Sequence, residues 1–169
     1  MIILRNIIVV LLFGLFGCNE VEQNKPGLKT KNDHEAIRII LKDLNDQSVS
    51  LEKYKRKVIF INFWATWCKP CIEEMPTIAA AQDSLQHAEI IFLLASNEST
   101  DQIKEFRDNH HYKFNYVRIE NIEELNIEVL PATFIFSKSG DLVFSEMGYR
   151  KWNEKDNIDT LLKIINKND

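Results

Sequence analysis

Lys57-Val58-Ile59-Phe60-Ile61-Asn62-Phe63-Trp64 runs directly into Ala65-Thr66-Trp67-Cys68-Lys69-Pro70-Cys71, and the reading of this stretch decides the fold. Its first part is short, β-branched and aromatic, with near-continuous hydrophobicity. That is the pattern of a strand buried on both faces, as in a parallel sheet. The second part opens a different period. From Cys68 to about His87, the residues Ile72, Met75, Ile78, Ala79 and Leu85 fall on one side of a helix. The C-x-x-C pair therefore stands where a buried strand gives way to a helix. A helix N-terminus carries unsatisfied N–H groups and a partial positive charge. A thiolate placed there is stabilised, and its pKa can fall from about 8.5 into the range of roughly 3.5–7.5. Cys68, at the helix start, is expected to be the exposed nucleophile. Cys71, one turn later and deeper, is expected to be the resolving thiol that closes the disulfide. Pro70 costs little in a first turn, and Lys69 adds a small positive potential.

Outward from this junction the elements alternate. Ala36 to Leu41 and Ser48 to Leu51, about a polar turn at Asp43 to Gln47, predict a small hairpin. Glu89 to Ala95 is a second buried-type strand, and Thr100 to His110 a helix with Ile103 and Phe106 as its apolar contacts. Lys113 to Ile119 predicts a strand and Ile122 to Ile127 a short helix. Ala132 to Ser137 and Asp141 to Met147 are strands joined at Lys138-Ser139-Gly140, and Trp152 to Lys167 a closing amphipathic helix. This order implies an α/β three-layer sandwich, a central mixed sheet flanked by helices, with an N-terminal hairpin extension.

Composition removes several classes. The chain has 169 residues, enough for one ordinary domain plus an extension. Its formal net charge is −4, with Lys and Arg spread among acids, so nucleic acid is not an expected partner. With 5 glycines and no G-x-G-x-x-G or Walker-type run, phosphate-cradling loops are disfavoured. No cofactor is called for.

The N-terminus reads as an address. Ile7 to Phe16 is apolar but for Gly14, follows Arg5, and is too short for a comfortable membrane span. Leu15-Phe16-Gly17-Cys18 resembles a bacterial lipoprotein box, which implies cleavage before Cys18 and lipid on its sulfur. Residues 1–17 are then a signal peptide. Residues 18–35, polar and containing Pro26-Gly27, are a flexible tether, and residues 36–169 are the folded domain.

Trp64-Ala65-Thr66-Trp67-Cys68-Lys69-Pro70-Cys71 resembles the active site of the thioredoxin superfamily. The continuation Ile72-Glu73-Glu74-Met75-Pro76 is similar to the TlpA/ResA-like branch of membrane-anchored thiol–disulfide oxidoreductases. The resemblance implies a thioredoxin-like fold and a set of roles. Glu74, one turn after Cys71, would assist proton transfer. Asn62 stands where thioredoxins have an aspartate and cannot relay a proton. Pro131 would be the cis-proline facing the cysteines, leaving the backbone of Leu130 free to pair with a partner strand. Trp67, Lys69, Pro70 and Leu130 would contact partners, while Trp64 belongs to the core. The chain departs from the branch at Val129, where glycine is frequent, and at Ala132, where threonine is. Implied partners are exported protein thiols and disulfides and a membrane-embedded electron donor, with cytochrome c maturation as one pathway. The implied setting is the bacterial cell envelope, facing the periplasm, and the implied state a monomer.

Three other readings compete. A structural zinc site wants four ligands, but His34, His87, His110 and His111 show no paired ligand spacing with the cysteines. A peroxiredoxin-like peroxidase would not need the adjacent Cys71. A non-enzymatic lipoprotein binding partners or metal would keep the fold without the exchange chemistry.

Overall fold

The computed structural model describes residues 37–167. The expected signal peptide, Cys18 and the tether lie outside these residues. The stretch that opened the reading forms β3 (Val58–Phe63), whose six residues are all buried, followed by α1 (Lys69–Ser84). The other elements are β1 (Leu41–Lys42), β2 (Ser48–Val49), β4 (Ile90–Ser96), α2 (Thr100–Asn109), β5 (Asn115–Ile119), β6 (Ala132–Phe136), β7 (Leu142–Met147) and α3 (Lys155–Asn166). They form one seven-stranded sheet in the order β2-β1-β5-β4-β3-β6-β7. β3, β4 and β5 run parallel, as expected of strands linked by helical crossovers. β6 and β7 add antiparallel strands on one side, and the β1–β2 hairpin adds them on the other. The sheet is thus mixed, and the N-terminal hairpin is part of it.

Burial follows the alternation of the strands. Val58, Phe60 and Trp64 meet Met75 and Ile78 of α1, Ile103 and Phe106 of α2, and Leu161 and Ile165 of α3 in one core. Ile59, Ile61 and Phe63 lie in a second core on the opposite face, with Leu93, Val117 and Phe134. Two single turns of 3-10 helix, Leu51–Tyr54 and Ile122–Leu125, cover that face. A fully buried Phe or Ile side chain contributes about 1.5–3 kcal/mol, so β3, buried on both faces, anchors both cores.

Several elements differ from expectation: the first strand, expected over Ala36 to Leu41, is Leu41–Lys42, and the helix expected over Ile122 to Ile127 is the 3-10 turn Ile122–Leu125. Leu51 leaves the hairpin for the first 3-10 turn, because the Ser50 hydroxyl accepts from Glu52 N (3.2 Å) and caps it. Trp152 precedes α3 instead of opening it. Its N–H donates to Thr77 Oγ1 (3.1 Å), and Asn157 Nδ2 donates to Lys151 O (2.8 Å). Long-range partners thus claim the backbone that a helix would have used. No helix among the described residues is long and apolar enough to cross a membrane.

Candidate active site

Cys68 caps the N-terminus of α1 with an extended backbone, and Cys71 lies in the first turn. Cys68 N donates to Ala65 O (3.0 Å), and Ile72 N to Cys68 O (3.1 Å). This fixes the cysteine at the end of the helix, where first-turn amides lack intrahelical partners. The two sulfurs are joined in a disulfide, with Cα atoms 5.3 Å apart. Cys68 is 4% exposed and Cys71 fully buried. Cys71 is the deeper of the two, while Cys68, expected to be exposed, is itself buried in this disulfide form.

The loop before the disulfide is held by a carboxylate the sequence reading missed. Glu98 follows the C-terminal end of β4, and its two oxygens accept from Thr66 N (2.7 Å) and Thr66 Oγ1 (2.6 Å). The Ser96 hydroxyl donates to Glu98 Oε2 (3.0 Å). One signal could have found it: adjacent parallel strands end at the same edge of a sheet, so the loops after β3 and β4 must meet there.

Glu74 is fully buried on the inner face of α1. Its Oε1 accepts from Arg150 N (2.9 Å) and Trp152 Nε1 (3.0 Å), and its Oε2 from Asn62 Nδ2 (3.0 Å). Burial raises its pKa from the ordinary 4.5 to about 6, against the lowering effect of the bonds from Arg150 N, Asn62 and Trp152. A carboxyl group poised near neutrality exchanges protons readily. Asn62 also donates to Thr133 Oγ1 (3.0 Å) across the β3–β6 pair, while its own Oδ1 is buried without a hydrogen-bond partner among the described residues. Thr133, Arg150 and the polar end of Trp152 were not legible as site residues, because each reaches Glu74 or Asn62 from a distant part of the chain.

Pro131 lies at the same end of the sheet. Ala132 pairs with Phe63, the last residue of β3, and Gly148 N donates to Pro131 O (2.7 Å). The Leu130–Pro131 bond is cis. Pro131 is buried, Leu130 half-buried and Val129 exposed. Trp67 is 74% exposed, so most of the ring stands in solvent. Pro70 and Lys69 are exposed, and Lys69 pairs with Glu73 (3.7 Å). That pairing offsets the positive potential expected of Lys69. His110 stacks on Phe106 at 3.8 Å, with Nδ1 2.7 Å from Phe106 O. It thus packs on the end of α2.

Comparisons agree with this geometry. A family model described as the AhpC/TSA family matches residues 33–145. The chain is 28% identical to the thioredoxin-like protein YneN of Bacillus subtilis, over 92% of this chain and 97% of that one. It is 31% identical to the thiol-disulfide oxidoreductase ResA of Bacillus cereus, over 68% of each. In fold it resembles the thioredoxin domain of a thiol-disulfide oxidoreductase from Bacteroides vulgatus, with a TM-score of 0.64 at 21% identity, covering 76% of this chain and 93% of that one. A thiol:disulfide interchange protein from Chlorobium tepidum gives 0.61 at 22% identity, covering 73% and 90%. A paired C-x-x-C at a helix N-terminus, on a thioredoxin-like sheet and within this kinship, places the chain in the AhpC/TSA family as a thiol–disulfide oxidoreductase of the ResA type.

Proposed function

We propose that this oxidoreductase works as a dithiol reductant of exported protein disulfides, with Cys68 as nucleophile, Cys71 as resolving thiol and Glu74 as the proton-transfer group. The observation that carries the reading is the buried carboxyl group of Glu74, one helical turn after Cys71 and held near neutrality. The Cys68 thiolate attacks one sulfur of the substrate disulfide. A Cys68–substrate bond forms, the substrate S–S bond breaks, and one substrate thiolate leaves. Cys71 passes its proton to Glu74, and the resulting thiolate attacks Cys68 Sγ. The Cys68–Cys71 bond forms and the second substrate thiolate leaves. Two electrons pass from the dithiol to the substrate. The two released thiolates take up protons, one of which is replaced when Glu74 returns its own to solvent.

Trp67, Val129 and the backbone at Leu130 would receive an extended partner segment beside Pro131, and Lys69 and Pro70 would border it. One chain supplies all of these groups, which suits a monomer. A membrane-embedded electron donor would reduce the pair again, and maturation of cytochrome c is one pathway such a reductant would serve. About 30 mV shifts a two-electron equilibrium roughly tenfold, so the direction of flow is decided by measurement. Trapping the thiols in living cells should show Cys68 and Cys71 mainly reduced, with a reduction potential below that of typical substrate disulfides. A fully oxidised pair that donates its disulfide efficiently would overturn the reductant role.

Lipid on Cys18 would hold the domain at the cell-envelope membrane on the tether of residues 18–35. Cys18→Ala is expected to move the protein from the membrane fraction to the soluble one and to change its electrophoretic mobility. Unchanged fractionation and mobility would remove the anchor from this account.

A further inference from the structure

Glu74 is reached from the loop between β7 and α3 as well as from the sheet. Arg150 N and Trp152 Nε1 both donate to Oε1, and Asn62 Nδ2 donates to Oε2. All three partners are N–H groups that cannot accept. A carboxylate oxygen offers two lone pairs, so Oε1 is filled and one position remains, on Oε2. We infer that Trp152 is a positioning residue for the proton step: together with Arg150 N it fills Oε1, so the proton exchanged with Cys71 travels on Oε2. This rests on the proton role proposed for Glu74.

The loop is built to hold the indole there. Trp152 is 1% exposed and lies edge-on to Phe60 (4.7 Å) and Phe144 (5.9 Å). The Arg150 guanidinium lies over the Phe144 and Trp152 rings, at 5.3 and 5.4 Å. Its Nε donates to Asn157 Oδ1 (2.6 Å), and it pairs with Glu146. The indole therefore cannot leave Glu74 without disturbing the sheet, α1 and α3 together.

Asn62 completes the arrangement. Its unpartnered Oδ1 becomes an acceptor for a protonated Oε2 if the amide turns over. The Thr133 hydroxyl, which accepts from Nδ2, then donates to Oδ1. An amide can serve either way, because its two ends exchange donor for acceptor. The ionised acid faces the NH2 group and the protonated acid faces the carbonyl, with the turned NH2 then taking the unpartnered position of Oδ1.

The experiment follows the attack of Cys71 alone. Reduced protein is mixed with an aromatic chromogenic disulfide. Cys68 takes up one half and releases the first aromatic thiolate. The second, unimolecular release reports attack by Cys71 on Cys68. Its pH midpoint is measured in the wild type, Trp152→Phe and Glu74→Gln. Phe keeps the aromatic packing and removes the donor, which disfavours the ionised carboxylate. The midpoint is expected to move alkaline by about one pH unit, tenfold in the ionisation constant. A merely structural role would change the rate without moving the midpoint. A Glu74→Gln profile without this limb and an unmoved Trp152→Phe midpoint would overturn the inference and leave the proton role of Glu74 standing. A limb retained in Glu74→Gln would overturn both. A second measurement needs no Trp152 variant: the Trp152 indole N–H resonance of the oxidised protein should titrate with Glu74 and stay flat in Glu74→Gln. An indole that does not respond in the wild type also overturns the inference.

Discussion

Cys68→Ser is expected to lower reduction of a protein disulfide to the uncatalysed background, read as insulin precipitation in the presence of a small dithiol. The effect should be the largest of any single substitution, because every step passes through this sulfur. A serine hydroxyl stays protonated at neutral pH, so the helix N-terminus has no anion to stabilise. It also forms no disulfide, so neither the mixed disulfide nor the internal one can exist. The remaining thiol does not compensate. Cys71 is fully buried, and a buried thiol is a poor nucleophile toward a protein substrate. Wild-type turnover in this variant would refute the assignment of Cys68 as nucleophile. It would also reopen a non-enzymatic or metal-binding reading of the C-x-x-C.

The second large effect concerns stability. Glu74→Gln is expected to gain stability relative to the wild type as the pH rises through about 6 and to lose that gain in acid. The folded-state pKa of Glu74 is raised to about 6, above the ordinary 4.5. Below the unfolded value the acid is protonated in both states, and its burial carries no charge penalty. As the pH rises through about 6 the native state must hold a buried carboxylate, and stability falls. The shift from 4.5 to about 6 corresponds to about 2 kcal/mol. The difference in unfolding free energy between variant and wild type should grow by that amount between about pH 4 and about pH 8. Denaturant unfolding across this range measures it, and a difference independent of pH would show that Glu74 does not titrate as described. Glutamine places an NH2 where Oε2 stood, opposite Asn62 Nδ2. Turning the Asn62 amide over lets Oδ1 accept from it but carries the Asn62 NH2 to the unpartnered position of Oδ1, a cost that is the same at every pH and leaves the pH-dependent difference intact.

The two departures from the TlpA/ResA-like pattern lie at different depths. Val129 and Trp67 are exposed, at 54% and 74%. Ala132 is fully buried and pairs with Phe63. The departure at Val129 therefore changes exposed surface, while that at Ala132 changes packing within the sheet's core.

Much of this protein was legible in the chain alone because the deciding signals are local. A continuous apolar run of strand length can be satisfied only by burial on both faces, and Val58–Phe63 is so buried. A helical period that starts at Cys68 fixes where the helix dipole points, so the redox character of the pair follows from a few neighbouring residues. Local turn signals likewise placed the β6–β7 hairpin around Gly140. What only the tertiary structure decided is the environment of Glu74. Its neighbour Glu73 is identical in sequence terms but exposed, since one step along a helix turns a side chain by about 100°. Glu74 meets its donors through Arg150 and Trp152, 76 and 78 positions away, and local periodicity carries no information on such contacts. For that reason Trp152 read as one more apolar residue of the last helix. Glu98, 32 positions from Thr66, passed as one acid among many. The chemistry of the cysteines is written in their local sequence, whereas the surroundings of the buried Glu74 are set by contacts that exist only once the sheet has closed.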